Sequence, residues 1–568
     1  MFIKTSKAKG YEYIKLVESY RDKGKTKHRV LHNFGRADLI KKDESFLRIA
    51  RRLCEIADLL PKAAEGEAVL EGCGEAVLYN YGYLAYQHLW KKLGIEGSLE
   101  EAEHDSKITY SLPQTVFLMA LQHLLEPMSK LQAYENQKKY YGLSEISLHH
   151  LYRALDRLSD QKEEIEKSLF DYNYVRVNKK VDVVFYDVTT IHFESVIADE
   201  LRDFGFSKNG KFNEVQVVLG MIIDAGGMPV GYELFKGNTF DGKTLVSALE
   251  DISKRFGINR VIIVADRGIN SKGNLSLIKE AGYGYITAAK IKGAAAALQA
   301  KTLDSAGFTD VFDKEGKLEF RYKTFEHTNT FTDEKGEPHE LPENMIVTYS
   351  PNRARKNKAD RDRLVEKARF LLENPEKIKA SNKRGGKKFI DQVEKGKPSY
   401  ALAMKKIEKD AMFDGYYALQ TSEKSMSATE VKDAYHTLWK IEESFRIMKT
   451  TLELRPVYHS TPKRIEGHFV VCFLAFLMER KMELLLKCGD DDLAASPGKI
   501  RKALNSCLLA ALNTSESDKF IKTKTLPLAN KIFKRLKLNM PNNINTGHDL
   551  DSCLLSDNNY AHVQLSLL

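Results

Sequence analysis

Between residues 181 and 289 the chain carries five short runs rich in β-branched and aromatic residues. They are VDVVFYDVTT (181–190), EVQVVLGMIID (214–224), MPVGYELF (228–235), RVIIVADRG (260–268) and YGYITAA (283–289). Runs of this length and composition read as strands. Two of them carry an aspartate where an apolar strand has least use for one. Asp187 lies inside its strand, and an ionised carboxylate there needs a cation or a hydrogen-bond network. Thr189 or Thr190 could supply that network. Asp266 follows VIIVA immediately before Arg-Gly, a place where an Asp also serves as an ordinary turn residue.

The flanking sequence has other periods. The first 40 residues read as a hairpin, with YEYIKLVESY, a turn at RDKGK, then KHRVLHNFGR. From about 66 to 175 the apolar spacing is three and four, as in LPQTVFLMALQHLL and SLHHLYRALDRL, which predicts helices. Beyond residue 300 lie strand-like KLEFRYKTF and MIVTYS, then a basic helix, KADRDRLVEKARFLL. SATE (427–430) is a capping box that opens a helix expected to run through Glu442 to about Lys449. Phe469–Met478 is too short an apolar run to span a bilayer and reads as a buried helix. The last 80 or so residues read as helical with polar interruptions.

A chain of 568 residues supports several domains, and 43% hydrophobic with 29% charged residues is a globular composition. The N-terminus MFIKTSKAKG has no apolar signal region. The six cysteines (54, 73, 472, 488, 507 and 553) show no CxxC and no zinc-like spacing, so a reduced, intracellular chain without zinc is expected. The net charge of +10 is concentrated. Residues 1–36 hold ten Lys or Arg against three acids, and residues 351–400 sixteen against seven, so the remainder is net negative. Two basic segments suit a polyanion, although solvated faces would look the same.

WKIEESFRIMK (439–449) sets two glutamates side by side, about 100° apart on a helix. Tyr435, Glu442 and Lys449 recur at intervals of seven and form one stripe, flanked by Arg446 at the i+4 position from Glu442. Glu443 points away from it, so Glu442 is the functional candidate. Asp187, Asp266 and Glu442 together can hold two Mg²⁺ ions, which take hard oxygen ligands and suit in-line phosphoryl displacement. No Ser-His-Asp or Cys-His arrangement competes. Trp439 reads as core, and His192, His436 and His468 as structural or surface residues, since Mg²⁺ does not favour imidazole.

The ladder YDVTT…FE, F-KGNTFD, ADRGINS and YHTLWKIEESFRIMKTTLELRPVYHSTPKRIEGHF resembles the DDE transposases of bacterial insertion sequences. It is most similar to the insertion-sequence-four superfamily, whose helix signature is Tyr-x2-Arg-x3-Glu-x6-Lys. Tyr435, Glu442 and Lys449 match it. Leu438 stands where the signature has arginine, which points to the branch named for insertion sequence sixteen-thirty-four and moves a phosphate contact elsewhere, Arg446 being the candidate. The resemblance covers 180–290 and 415–475 strongly and the N-terminal regions more loosely.

The resemblance implies an α+β multidomain chain whose RNase H-like core is interrupted by a β-rich insertion, with helical N- and C-terminal regions. The corresponding division is a hairpin region at 1–60, a helical DNA-binding domain at 61–175, core at 176–290, insertion at 291–425, core again at 426–485 and a helical C-terminal region at 486–568. It further implies Asp187, Asp266 and Glu442 as the metal triad, with two Mg²⁺ ions that Mn²⁺ can replace. Tyr435, Arg446, Lys449, Arg353, Arg355, Lys356 and Lys358 would contact double-stranded DNA. The implied chemistry is nicking at terminal inverted repeats and strand transfer of the 3′-OH in cut-and-paste transposition, by a homodimer in the bacterial cytoplasm at the nucleoid. A catalytically silent DNA-binding derivative and an RNase H-like nuclease are the alternatives.

Overall fold

The structure, a computed structural model, describes residues 2–555 except 9, 23–24, 41–42, 44–45, 47–76, 105–107, 180, 182, 194, 206–213, 240–253, 258–260, 266–270, 314, 333–336, 375–377, 379–384, 394–399, 455–456, 458, 489–493 and 514–517. The chain divides into two units, residues 1–74 with 513–517, and residues 75–512 with 518–568.

The first unit is a three-stranded antiparallel sheet of β1 (Phe2–Ala8), β2 (Tyr11–Asp22) and β3 (Lys25–Arg36). The expected hairpin is β2–β3. The basic N-terminal run adds β1, because its residues pair along β2 from Phe2↔Val17 to Ala8↔Tyr11. Gly10, at φ +80°, makes the tight connection that this pairing requires.

In the second unit the residues after β4 (Leu78–Asn80) are helical, as the apolar spacing predicts. Helices Leu84–Lys92, Ile95–His104, Leu112–Leu125, Leu148–Asp160 and Lys162–Phe170 share one core with the long helix Pro462–Lys487. Every residue of Phe469–Met478 is buried in that helix. Gly467 allows it to close on Leu148–Asp160, since a Cβ there would lie 2.0 Å from the Leu155 carbonyl oxygen.

The central sheet begins with β5 (Val183–His192), β6 (Gln216–Asp224), β7 (Pro229–Lys236), β8 (Ile262–Ala265) and β9 (Gly284–Ala288), at the five predicted sites. β5, β6 and β7 are successively antiparallel, whereas β8 runs parallel to β5 and β9 parallel to β8. The region 291–425 contributes β10 (Thr309–Phe312), β11 (Leu318–Thr332) and β12 (Pro338–Tyr349), the basic helix Pro351–Glu373, the small pair β13 (Ile390–Gln392) and β14 (Tyr400–Leu402), and β15 (Tyr416–Thr421). β15 pairs with β9, so this region extends the same sheet to nine strands, in the order β10-β11-β12-β15-β9-β8-β5-β6-β7.

Side chains along β5 alternate between two cores. Val184, Tyr186 and Val188 pack on one side with the helix Lys272–Glu280, and Phe185 and Ile191 on the other with the long helix. Asp187 and Thr189 fall in the second set.

Two expectations need correction. The C-terminal region is mixed, with β16 (Leu508–Asn513), β17 (Asp518–Lys522) and β18 (Ile544–Thr546) among its helices. LLAALN is made of good helix formers, yet it pairs with β4, so sheet pairing outweighs local propensity. The helix opened by Ser427 does have its capping box but is not continuous to Lys449. It ends at His436, a new helix runs Trp439–Arg446, and a π-helical turn spans Ile447–Thr451. At both breaks a threonine hydroxyl donates back to the carbonyl four residues earlier, Thr437 to Asp433 (2.8 Å) and Thr450 to Arg446 (2.7 Å). Such bonds compete with regular helix geometry.

Candidate active site

The helix Trp439–Arg446 lies on β5 and β6, with Ile441 and Phe445 in the core that also holds Phe185. Asp187 projects from that same face of β5. It is half-buried, and its Oδ1 accepts from the Val188 amide at 2.8 Å. Lys449, in the π turn, donates to the Thr189 hydroxyl, two residues beyond Asp187 on the same side of the strand. Asp266 lies outside the described residues. β8, the neighbour of β5, is described up to Ala265, with Phe185↔Val264 the last paired residues.

The two glutamates have different surroundings. Glu442 is exposed, and among the described residues its carboxylate makes no hydrogen bond or ion pair. Glu443 is engaged twice, by Arg480 Nη1 at 3.2 Å and by Arg446 at 3.3 Å. Arg480 is buried and also donates to Glu483 (2.8 Å), the Lys440 carbonyl and Ser444 Oγ (3.2 Å each). Burial pushes the Glu483 carboxyl up, and the Arg480 guanidinium pulls it back. Glu443 is thus tied into the protein by Arg480, and Arg446, one turn on from Glu442, bonds to Glu443.

Glu442 opens onto a cleft of about 530 Å³ lined also by Tyr435, Arg353, Lys432, Tyr417 and Trp439. Tyr435 and Tyr417 rings lie 5.9 Å apart, Arg353 sits 4.1 Å over Tyr417, and Lys432 sits 3.9 Å over Phe320. Trp439, expected in the core, is 50% exposed, because the break at Thr437–Leu438 turns its side outwards. Leu438 takes the inward place and is 7% exposed. At the position of the signature arginine the chain therefore has a core residue, while Arg353 and Lys432 bring cations to the cleft from other elements. Their convergence has no linear signal beyond the basic run itself.

Arg355, Lys356 and Lys358 are exposed on the first turns of the basic helix, Arg355 bonding to Asn352. Arg361, two turns on from Arg353, is instead buried against Asp414. His192 and His468 are buried and His436 is exposed at the cleft. Among the described residues no helix is long and apolar enough to cross a membrane.

Residues 3–59 match the family model described as IS1634 family transposase, N-terminal domain, and residues 179–478 match the Transposase DDE domain. No curated protein sequence matches the chain. Among solved structures, a piggyBac transposase synaptic complex with hairpin DNA aligns at 9% identity and a TM-score of 0.35, covering 74% of this chain and 79% of that one. A Mos1 transposase paired-end complex aligns at 13% identity and 0.14, covering 32% and 60%. Scores of that size do not establish a shared arrangement. The DDE-domain match spans more than half of the sequence and includes Asp187, Asp266 and Glu442, and with the N-terminal match it gives the family: this chain belongs to the DDE transposases of insertion sequences and resembles those of the IS1634 type.

Proposed function

We propose that this transposase binds the terminal inverted repeats of its element, cleaves the DNA there and transfers the 3′-OH to target DNA in cut-and-paste transposition. Asp187, Asp266 and Glu442 would be its acidic triad. The observation that carries the reading is the contrast within one helix turn. Glu443 is consumed by Arg480, while Glu442 meets no partner among the described residues and opens into a cleft that also receives Arg353 from the basic helix. An exposed carboxylate on the same side of the sheet as Asp187 fits a hard divalent cation better than a structural role does.

We read the core as RNase H-like on its strand order, β7-β6-β5-β8-β9 with β5–β7 antiparallel and β8 and β9 parallel to β5. Asp187, Asp266 and Glu442 would hold two Mg²⁺ ions, replaceable by Mn²⁺. When bound, such ions stabilise the attacking and leaving oxygens of a phosphoryl transfer. Lys449 would fix a phosphate beside Thr189. Arg353 and Tyr435 would hold the backbone across the cleft, and Arg355, Lys356 and Lys358 would extend that track along the insertion helix. Arg446 would add a contact at the rim. Pairing two ends in a homodimer would place both cuts in one assembly.

The test is cleavage of a labelled inverted-repeat end in Mg²⁺ beside a gel shift in Ca²⁺. Wild type should bind and cut, and Asp187→Asn should bind and not cut. Binding without cleavage by wild type would make the chain a silent DNA-binding derivative. Cleavage indifferent to the end sequence would make it a nuclease.

A further inference from the structure

Behind the π turn that carries Lys449 lies a second cluster of ligand atoms, fully inside the protein and unrelated to the carboxylates. Helix Leu112–Leu125 contributes His123, and the long helix contributes His468 and Cys472, one turn apart and so on one face. All three are buried, and a ligand atom from each lies within 4.8 Å of the others. We propose that His123, His468 and Cys472 bind one zinc-class cation, whose fourth position is left for water from the adjoining cleft.

The geometry is that of a site already assembled. Cys472 Sγ lies 3.8 Å from His123 Nε2 and 3.6 Å from His468 Nε2. With metal–sulfur and metal–nitrogen bonds of about 2.3 and 2.0–2.1 Å, a tetrahedral N···S edge is about 3.5 Å, so little movement is needed. His123 Nδ1 lies 2.8 Å from the Leu452 carbonyl oxygen, to which it donates. That bond leaves Nε2 as the lone-pair nitrogen, the usual outer contact of a ligating histidine. His468 faces Cys472 through Nε2, so to ligate it must carry its proton on Nδ1, which is buried without a hydrogen-bond partner, and give up the long 3.4 Å contact of Nε2 with the Leu454 carbonyl. Imidazole with thiolate selects zinc-like cations over magnesium.

Lys130 is the group that must give way. Its side chain is 6% exposed, and its ammonium lies 3.4 Å from His123 Nε2, with no carboxylate partner among the described residues. It competes for the Nε2 lone pair of His123 that a cation would use. Metal entry forms the metal–sulfur bond, releases the Cys472 thiol proton to solvent and expels the ammonium into the adjoining cleft. That cleft, of about 210 Å³, is lined by Lys130, His123 and His468 together with Glu453 and His459, and provides the route of entry. Glu453 stands at φ +46°, a conformation uncommon for a non-glycine residue, between Leu452 and Leu454, whose carbonyls approach the two imidazoles. The site would therefore pin the end of the segment that carries Glu442 and Lys449 to two core helices. The expectation of a zinc-free chain rests on linear spacing, which cannot register His123 beside residues so far along the sequence.

The test uses the full chain, with metal content measured by mass spectrometry and then exchange for Co²⁺. One zinc per chain and a thiolate-to-cobalt charge-transfer band are expected. Cys472→Ser should lose the band, and Lys130→Gln should bind zinc about tenfold more tightly because the like charge of the competing ammonium is gone. Glu442→Gln should keep the band, which separates this site from the carboxylates. Folded wild-type protein that retains no zinc and gives no thiolate band with Co²⁺ overturns the site, as does a band that survives Cys472→Ser.

Discussion

Exchanging each of the paired glutamates for glutamine should separate chemistry from stability. Glu442→Gln removes a charge that meets no partner among the described residues, so the melting temperature should match wild type while Mg²⁺-dependent cleavage is lost. Glu443→Gln removes a carboxylate from Arg480, which is 3% exposed. Breaking a buried pair outright costs about 3–5 kcal/mol. Here Arg480 keeps Glu483 at 2.8 Å and two oxygen acceptors at 3.2 Å, and Glu443 itself is 19% exposed. The loss should thus be about 1–2 kcal/mol. At about 2.1 cal/mol/K per residue, a chain of 568 residues has an unfolding entropy of about 1.2 kcal/mol/K, so this lowers Tm by about 1–2 °C. Differential scanning fluorimetry and cleavage of a labelled end at 25 °C, run on the same preparations, read both effects. Glu443→Gln should cut nearly as well as wild type and melt earlier. If Glu443→Gln is inactive but melts normally, while Glu442→Gln cuts but melts early, the assignment of the two side chains is reversed and the reasoning fails.

Other expectations follow from particular contacts. Gly467→Val should destabilise by about 1–3 kcal/mol or more, seen as a lower urea midpoint, because a Cβ at that position meets the Leu155 carbonyl at 2.0 Å; an unchanged midpoint would mean the helices do not pack this closely. Burial pushes the Glu479 carboxyl up to about 8. Its folded state holds a proton more tightly than the unfolded chain, so its contribution is complete below about pH 4.5 and falls by about 1.4 kcal/mol per unit as pH rises towards 8. Glu479→Gln should flatten urea stability over that window, and an equally steep variant would refute the shift. Charge reversal at Arg353, Arg355, Lys356 and Lys358 should weaken end binding and flatten its salt dependence, each lost phosphate contact changing the log–log slope by about 0.9. An unchanged slope would leave that helix as a solvated face.

The sequence by itself determined a good deal. The five β-branched runs, the capping box at Ser427 and the apolar block at Phe469–Met478 each encode their element locally, through propensity, a side-chain-to-backbone bond or hydrophobicity. The motif ladder carried the family, and the step of about 100° between neighbours set Glu442 and Glu443 in different directions on the helix Trp439–Arg446, because a helix converts sequence interval into direction. Tertiary structure decided what intervals cannot express. The heptad stripe presumed an unbroken helix, whereas threonine back-bonding interrupts it twice, so that Leu438 turns inward and Trp439 outward. That Glu443 is bound by Arg480, that Arg353 reaches the Glu442 cleft, that LLAALN pairs as a strand with β4 and that His123 meets Cys472 are all long-range contacts. Each joins residues from separate elements, and their proximity exists only once the sheet and helices have packed.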